Sequence, residues 1–164
     1  MAVPVVTIVG KSNSGKTTLM EKLIFELKDR GYSLGTLKHH SHSGFDIDKA
    51  GKDSWRHAKA GSNHVIIAAP DKIASYRLLT RELDFEEILN EFNMVDLILV
   101  EGYKSANQPS IEVVRRENGI ELISDKNQRI AVASDVDIDV EVPCLGLDDI
   151  KELVNLIEQN IMEM

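Results

Sequence analysis

Residues 3–17 read VPVVTIVGKSNSGKT, and this stretch constrains the chain more tightly than any other. The near-continuous apolar run over 3–9 is the pattern of a strand buried on both faces of a parallel sheet. Pro4, which lacks an amide, is acceptable at the strand's start. Residues 10–17, GKSNSGKT, match G-x-x-x-x-G-K-[ST]. Gly10 and Gly15 permit backbone conformations that a Cβ would obstruct. The amides of Lys11, Ser12, Asn13 and Ser14 can then turn inward, with those of the two glycines, as a nest for phosphate oxygens. The helix that follows aims the positive end of its dipole at the same point. Lys16 adds a full charge for the outer phosphates, Thr17 a hydroxyl for Mg²⁺, and Thr18 stands beside it. Met20, Leu23, Ile24 and Leu27 give one apolar face to a helix running to about Arg30, which Gly31 ends.

Such a loop needs a sheet to carry it. The 164 residues suffice for one nucleotide-binding domain over 1–164. With 43% hydrophobic and 28% charged residues, the composition excludes a disordered chain, a collagen and a disulfide scaffold. Nineteen basic against 27 acidic side chains leave a net charge of -8. That mean field repels polyphosphate and anionic lipid, so neither nucleic acid nor a membrane is an expected partner. Cys144 is the single cysteine, which rules out an internal disulfide and fits a reducing compartment. The first ten residues lack a basic stretch and a long apolar core, and no apolar run approaches the roughly 20 residues of a membrane span. The expectation is a cytoplasmic protein.

Along the chain, strands are expected over 32–38, 64–69, 72–79, 94–100 and 130–133, and helices near 53–60, over about 84–92, and from Asp148 onward. Asp53 and Asp148 are read as helix caps, and Asp84 with Glu87 as a capping-box-like pair. Pro70-Asp71 turns an antiparallel pair. Asn118-Gly119 predicts a second hairpin between 111–116 and 120–124. Residues 135–143 alternate acid with apolar, as an edge strand or an extended loop. The last helix shows one face of Ile150, Leu153, Val154, Ile157 and Ile161. Strands alternating with helices predict an α/β fold, mainly parallel, with antiparallel hairpin additions.

In such a sheet, ligands gather beyond the carboxyl ends of the strands. Asp96 and Glu101 lie on one strand, roughly 16 Å apart at about 3.3 Å per residue. Glu101, at the carboxyl end, is the Walker-B-like acid for Mg²⁺, or else a solvated strand end. Asp96 is a residue of the strand's start or a cap partner. The polar loop after the second strand carries Lys38, His39, His40, His42, Asp46 and Asp48. Asp46 or Asp48 can orient an attacking water. The three histidines can instead hold a transition metal, or simply line a polar loop. Asp135 follows RIAVAS, where a carboxylate can accept the paired N–H groups of guanine. The full Asn/Thr-Lys-x-Asp guanine motif is missing, Ala133-Ser134-Asp135 is a reduced form of it, and the start of a solvated acidic run is the alternative. Arg115 and Arg116 suit phosphate, a partner or plain surface. Lys11 suits either exposure to solvent or a reach toward a partner's nucleotide, as in dimeric ATPases.

Five segments in order, GKSNSGKTTL (10–19), KHHSHSGFDID (38–48), GKDSWRHAKAG (51–61), LILVEGYK (97–104) and VASD (132–135), resemble the molybdopterin-guanine dinucleotide biosynthesis adaptor protein B family. The resemblance implies a P-loop NTPase fold of three layers, GTP and Mg²⁺ as ligands, and weak GTP hydrolysis. It also implies a homodimer that works beside the molybdenum cofactor guanylyltransferase. By position, Gly15, Lys16 and Thr17 would hold phosphate and Mg²⁺, and Glu101 would take the Walker B place. Two other readings of the residues are a GTPase that delivers metal through His39, His40 and His42, and a P-loop kinase of a small molecule.

Overall fold

The computed structural model describes residues 3–40 and 44–162, so His42 lies outside the described residues. In chain order the elements are β1 (Val5–Val9), α1 (Lys16–Asp29), β2 (Leu34–Lys38), α2 (Asp53–Lys59), β3 (His64–Ala69), β4 (Lys72–Arg77), α3 (Phe85–Leu89), β5 (Leu97–Glu101), β6 (Ser110–Val114), β7 (Arg129–Ser134), β8 (Cys144–Gly146) and α4 (Ile150–Ile157). A π-helical turn, Glu158–Met162, extends α4. None of the described helices is long and apolar enough to cross a membrane. The chain forms two units, residues 1–39 with 90–164, and residues 40–89.

The first unit is a six-stranded sheet in the order β2-β5-β1-β6-β7-β8, with every pairing parallel. The α/β fold, mainly parallel, is as the alternation of patterns predicts. One face of the sheet presents Val6, Ile8, Leu97, Leu99, Ile111, Val113, Ala131 and Ala133 to a core shared with Leu19, Leu23 and Leu27 of α1 and Leu153, Val154 and Ile157 of α4. Each large aliphatic side chain buried there contributes about 1.5–3 kcal/mol. Arg30 ties the two helices together by donating to Glu26 at 2.9 Å and to Glu158 at 2.7 Å.

The predicted second hairpin does not form. Residues 110–114 are a central parallel strand between β1 and β7, and 120–124 are not a strand. The reason is Glu112, which is 1% exposed on the face of β6 away from the helices' core. Residues 123–124 fold over it, Ile123 N donating at 2.6 Å and Ser124 N at 3.1 Å, while Arg129 Nε donates at 3.2 Å. A buried carboxylate of this kind needs those donors more than the segment needs a strand partner. Asn118-Gly119 instead closes a 3-10 turn at Arg116–Asn118.

Smaller differences have similar causes. Residues 135–143 are an extended loop, and the edge strand is β8, just after it. Asp148 is not the cap of α4. The cap position falls on Asp149, whose carboxylate accepts the Gly146 amide at 2.7 Å, while Asp148 pairs with Lys22. Likewise Lys52, and not Asp53, stands at the cap position of α2, and no side chain caps that helix. Asp96 does serve the strand's start: it accepts the Ser33 amide at 2.7 Å and joins β2 to β5 there. The helix expected to reach Phe92 stops at Leu89. Phe92 lies instead over Gly35, where a Cβ would come within 2.6 Å of its ring.

The second unit holds the antiparallel pair β3–β4, in register from His64↔Arg77 to Ala69↔Lys72. Asp84 N donates to Glu87 at 2.9 Å, the capping-box contact, and Arg81 pairs with the same carboxylate.

Candidate phosphate-binding site

Strand order reverses at β1. The chain fills one side of it with β2 and β5, then crosses to β6, β7 and β8 on the other. The crevice at the carboxyl end of such a switch strand is where α/β sheets bind ligands. Residues 10–15 occupy it. Gly10, Asn13 and Gly15 all have positive φ, at 150°, 59° and 91°. At Gly10 a Cβ would stand 2.4 Å from the Val113 carbonyl, so glycine is required twice over, by conformation and by space.

Gly15 begins α1 with no side-chain cap. The first-turn amides of a helix have no intrahelical acceptor, which leaves those of Lys16 and Thr17 for a ligand's oxygens. Ser14 is 1% exposed, and its Oγ has no hydrogen-bond partner among the described residues. Lys16 bends back over the loop, donating to Gly10 O at 3.0 Å and Lys11 O at 2.6 Å. Burial lowers its pKa below the usual lysine value, Glu101 opposes that shift, and Lys38 adds to it. Phosphate oxygens reward a desolvated ammonium in this position.

The carboxylate of Glu101, at the end of β5, accepts Thr17 Oγ1 at 3.0 and 3.1 Å and Lys38 Nζ at 2.9 Å. Thr17 and Glu101, expected as the Mg²⁺ pair, are thus in direct contact, and Glu101 is not a solvated strand end. A hydroxyl beside a carboxylate at a phosphate cradle is the oxygen donor set that Mg²⁺ takes. Thr18 is exposed on the next position of α1.

The segment after β6 packs against the loop and donates to its carbonyls. Arg115 Nε donates to Ser14 O at 3.3 Å, and Asn118 Nδ2 to Ser12 O at 3.4 Å. Lys11 Nζ donates to Asn118 O at 2.9 Å and pairs with Glu121, so the lysine is held within its own chain. The Lys11 ammonium keeps Glu121 below the usual carboxylate range. Asn118 and Glu121 were not legible as site residues, and Lys38 was legible only as part of the polar loop after the second strand, without its contact to Glu101. The only signal was position, since each follows or ends a strand whose carboxyl end meets the loop.

Asp135 accepts the Arg116 amide at 2.9 Å. Asp46 and Asp48 belong to the unit of residues 40–89. Asp48 accepts Tyr76 Oη at 3.0 Å and the Lys49 amide at 2.7 Å. Desolvation works against it, but these bonds and one from Ser54 hold Asp48 below its usual pKa. Asp46 is exposed. His39 stacks on Tyr103 at 4.3 Å between ring centroids, and His40 meets Phe45 edge-on at 5.8 Å. Among the described residues, no group of three His, Cys, Asp or Glu side chains is placed to hold a metal ion.

The family model described as "Molybdopterin guanine dinucleotide synthesis protein B" matches residues 5–135. The chain is 37% identical, over 165 aligned positions, to the molybdopterin-guanine dinucleotide biosynthesis adapter protein of Escherichia coli strain K12, covering 94% of this chain and 91% of that one. It is 35% identical to the protein of the same name from Haemophilus influenzae, covering 95% and 88%. A crystal structure of Bacillus subtilis MobB superposes with a TM-score of 0.74 at 26% identity, over 93% of this chain and 97% of that one. A crystal structure of molybdopterin-guanine biosynthesis protein B gives 0.72 at 26%, over 94% and 98%. On sequence and on fold, the chain belongs to the molybdopterin guanine dinucleotide synthesis protein B family.

Proposed function

We propose that the chain is an adapter in molybdopterin-guanine dinucleotide biosynthesis that binds GTP with Mg²⁺ on residues 10–17 and hydrolyses it slowly to GDP and phosphate. One observation carries the reading. The turn at the carboxyl end of β1 gathers an uncapped helix start, the Lys16 ammonium, and the Thr17–Glu101 pair around a single point. The names of the two relatives supply the pathway. A guanosine nucleotide suits an adapter whose pathway product carries guanine, working beside the guanylyltransferase in the cytoplasm as a homodimer.

The chain's own residues divide the work. The amides of 10–17 hold the phosphates, and Lys16 leaves Gly10 O and Lys11 O to reach the outer ones. Thr17 and Glu101 hold Mg²⁺, and Glu101 gives up part of its contact with Lys38. Mg²⁺, when bound, neutralises charge developing on the phosphates.

Titrating GTP with and without Mg²⁺ tests the metal assignment. The expected outcome is Mg²⁺-dependent affinity in the wild type that shrinks by about tenfold or more in Thr17→Ala and Glu101→Gln. Mg²⁺ dependence that survives in both variants contradicts it.

A further inference from the structure

The register of β2 on β5 sets Lys38 directly beside Glu101, as the last pair of the ladder. Opposed residues of a parallel ladder project to the same face, so the two side chains leave the sheet together. Lys38 Nζ donates to Glu101 Oε1 at 2.9 Å, and Thr17 Oγ1 donates to the same oxygen at 3.1 Å. The Glu101 side chain is 13% exposed, whereas that of Lys38 is 64% exposed. A carboxylate so far from water is costly without a cation beside it, and an exposed lysine loses little by leaving. Lys16 does not fill that role, since its ammonium donates to Gly10 O and Lys11 O.

Mg²⁺ and this ammonium compete for one carboxylate. Mg²⁺ draws its oxygen ligands to about 2.0–2.1 Å and fills its remaining positions with further oxygens. A lysine ammonium has no lone pair to offer, so Lys38 can only repel a metal ion arriving at Glu101. The side chain also has somewhere to go. A cavity of about 190 Å³ lies between α1 and β2, with Thr17, Glu21, Ile24, Leu37, Lys38 and Glu101 in its lining. Its apolar part suits the methylenes of a lysine stem, and Glu21 supplies a second carboxylate for the ammonium.

We infer that Lys38 is a stand-in cation for Mg²⁺ at Glu101, a positioning residue that keeps the Thr17–Glu101 pair assembled without metal and that the metal must displace. Lys38 thereby sets the Mg²⁺ concentration at which the site loads. The inference rests on Thr17 and Glu101 being the Mg²⁺ pair. Its test is calorimetric titration of GTP at a series of Mg²⁺ concentrations, which yields the Mg²⁺ concentration giving half of the full gain in affinity. The proteins compared are the wild type, Lys38→Met, Lys38→Arg and Lys28→Met. Methionine keeps much of the stem without the charge, and arginine keeps the charge. Lys28, exposed in the last turn of α1, controls for the change in net charge.

In Lys38→Met the half-point is expected to fall about fivefold or more, because neither the pairing nor the repulsion then opposes the metal. In Lys38→Arg it is expected not to fall, and in Lys28→Met to move by less than about twofold, since a distant exposed charge is screened. A tighter metal response is a change that structural damage at position 38 would not produce. A half-point unchanged or raised in Lys38→Met, or one that falls as far in either other variant, overturns the inference while leaving the Thr17–Glu101 pair standing. A wild type whose GTP affinity ignores Mg²⁺ removes that pair as the metal site, and the inference with it.

Discussion

Gly10 shows how much a single residue can decide. Its φ of 150° disfavours any side chain, and the Val113 carbonyl would meet a Cβ at 2.4 Å. Gly10→Ala must push β6 and the loop apart. The expected cost is at least about 2 kcal/mol by urea denaturation, with loss of nucleotide affinity in the same variant. A variant as stable as the wild type would mean that the loop does not close on β6. The motif's glycines, Lys16 and Thr17 were legible because their spacing encodes a backbone shape. Glu101 was legible because it ends a buried strand.

Among the elements, β6 and the segment that covers it depend on one buried ion pair. Glu112 and Arg129 have side chains only 1% and 7% exposed, so removing one leaves the other's charge without a partner. Glu112→Ala is expected to cost about 3–5 kcal/mol in chemical denaturation, and Glu112→Gln less, because one acceptor oxygen remains. Equal and small losses in both variants would contradict this. The same residue explains why the hairpin expected from Asn118-Gly119 fails. Turn chemistry is local and readable, whereas a carboxylate's need for donors appears only once the sheet is built. The capping box of α3, in contrast, was readable from Asp84 and Glu87 alone. There Arg81, with the Asp84 amide, holds Glu87 down to about 2. Its folded pKa lies below its unfolded value, so the contact's full contribution is present above about pH 4.5 and fades as pH falls through about 2. A side-chain NMR titration should place the Glu87 midpoint near 2, and Arg81→Ala should return it toward the ordinary range. A midpoint near 4.5 in the wild type would show that the pair does not persist in solution.

For the molecule as a whole, the sheet order β2-β5-β1-β6-β7-β8 does what no single motif can. It places the ends of β1, β5, β6 and β7 around one crevice, so that residues from 10 to 135, far apart in sequence, meet there. Apolar runs and helical faces made the α/β class and most strands legible. The division into two units was not, because nothing in composition marks residues 40 or 89 as a boundary. The central claim is that the turn over residues 10–17 holds a triphosphate chiefly through main-chain amides and the Lys16 ammonium. The most direct measurement is calorimetric titration of Mg²⁺–GTP into the wild type and Lys16→Ala. Saturable binding that weakens by about thirtyfold or more in the variant is the predicted result. A wild type that takes up no GTP, or a variant that binds it just as tightly, would contradict the account.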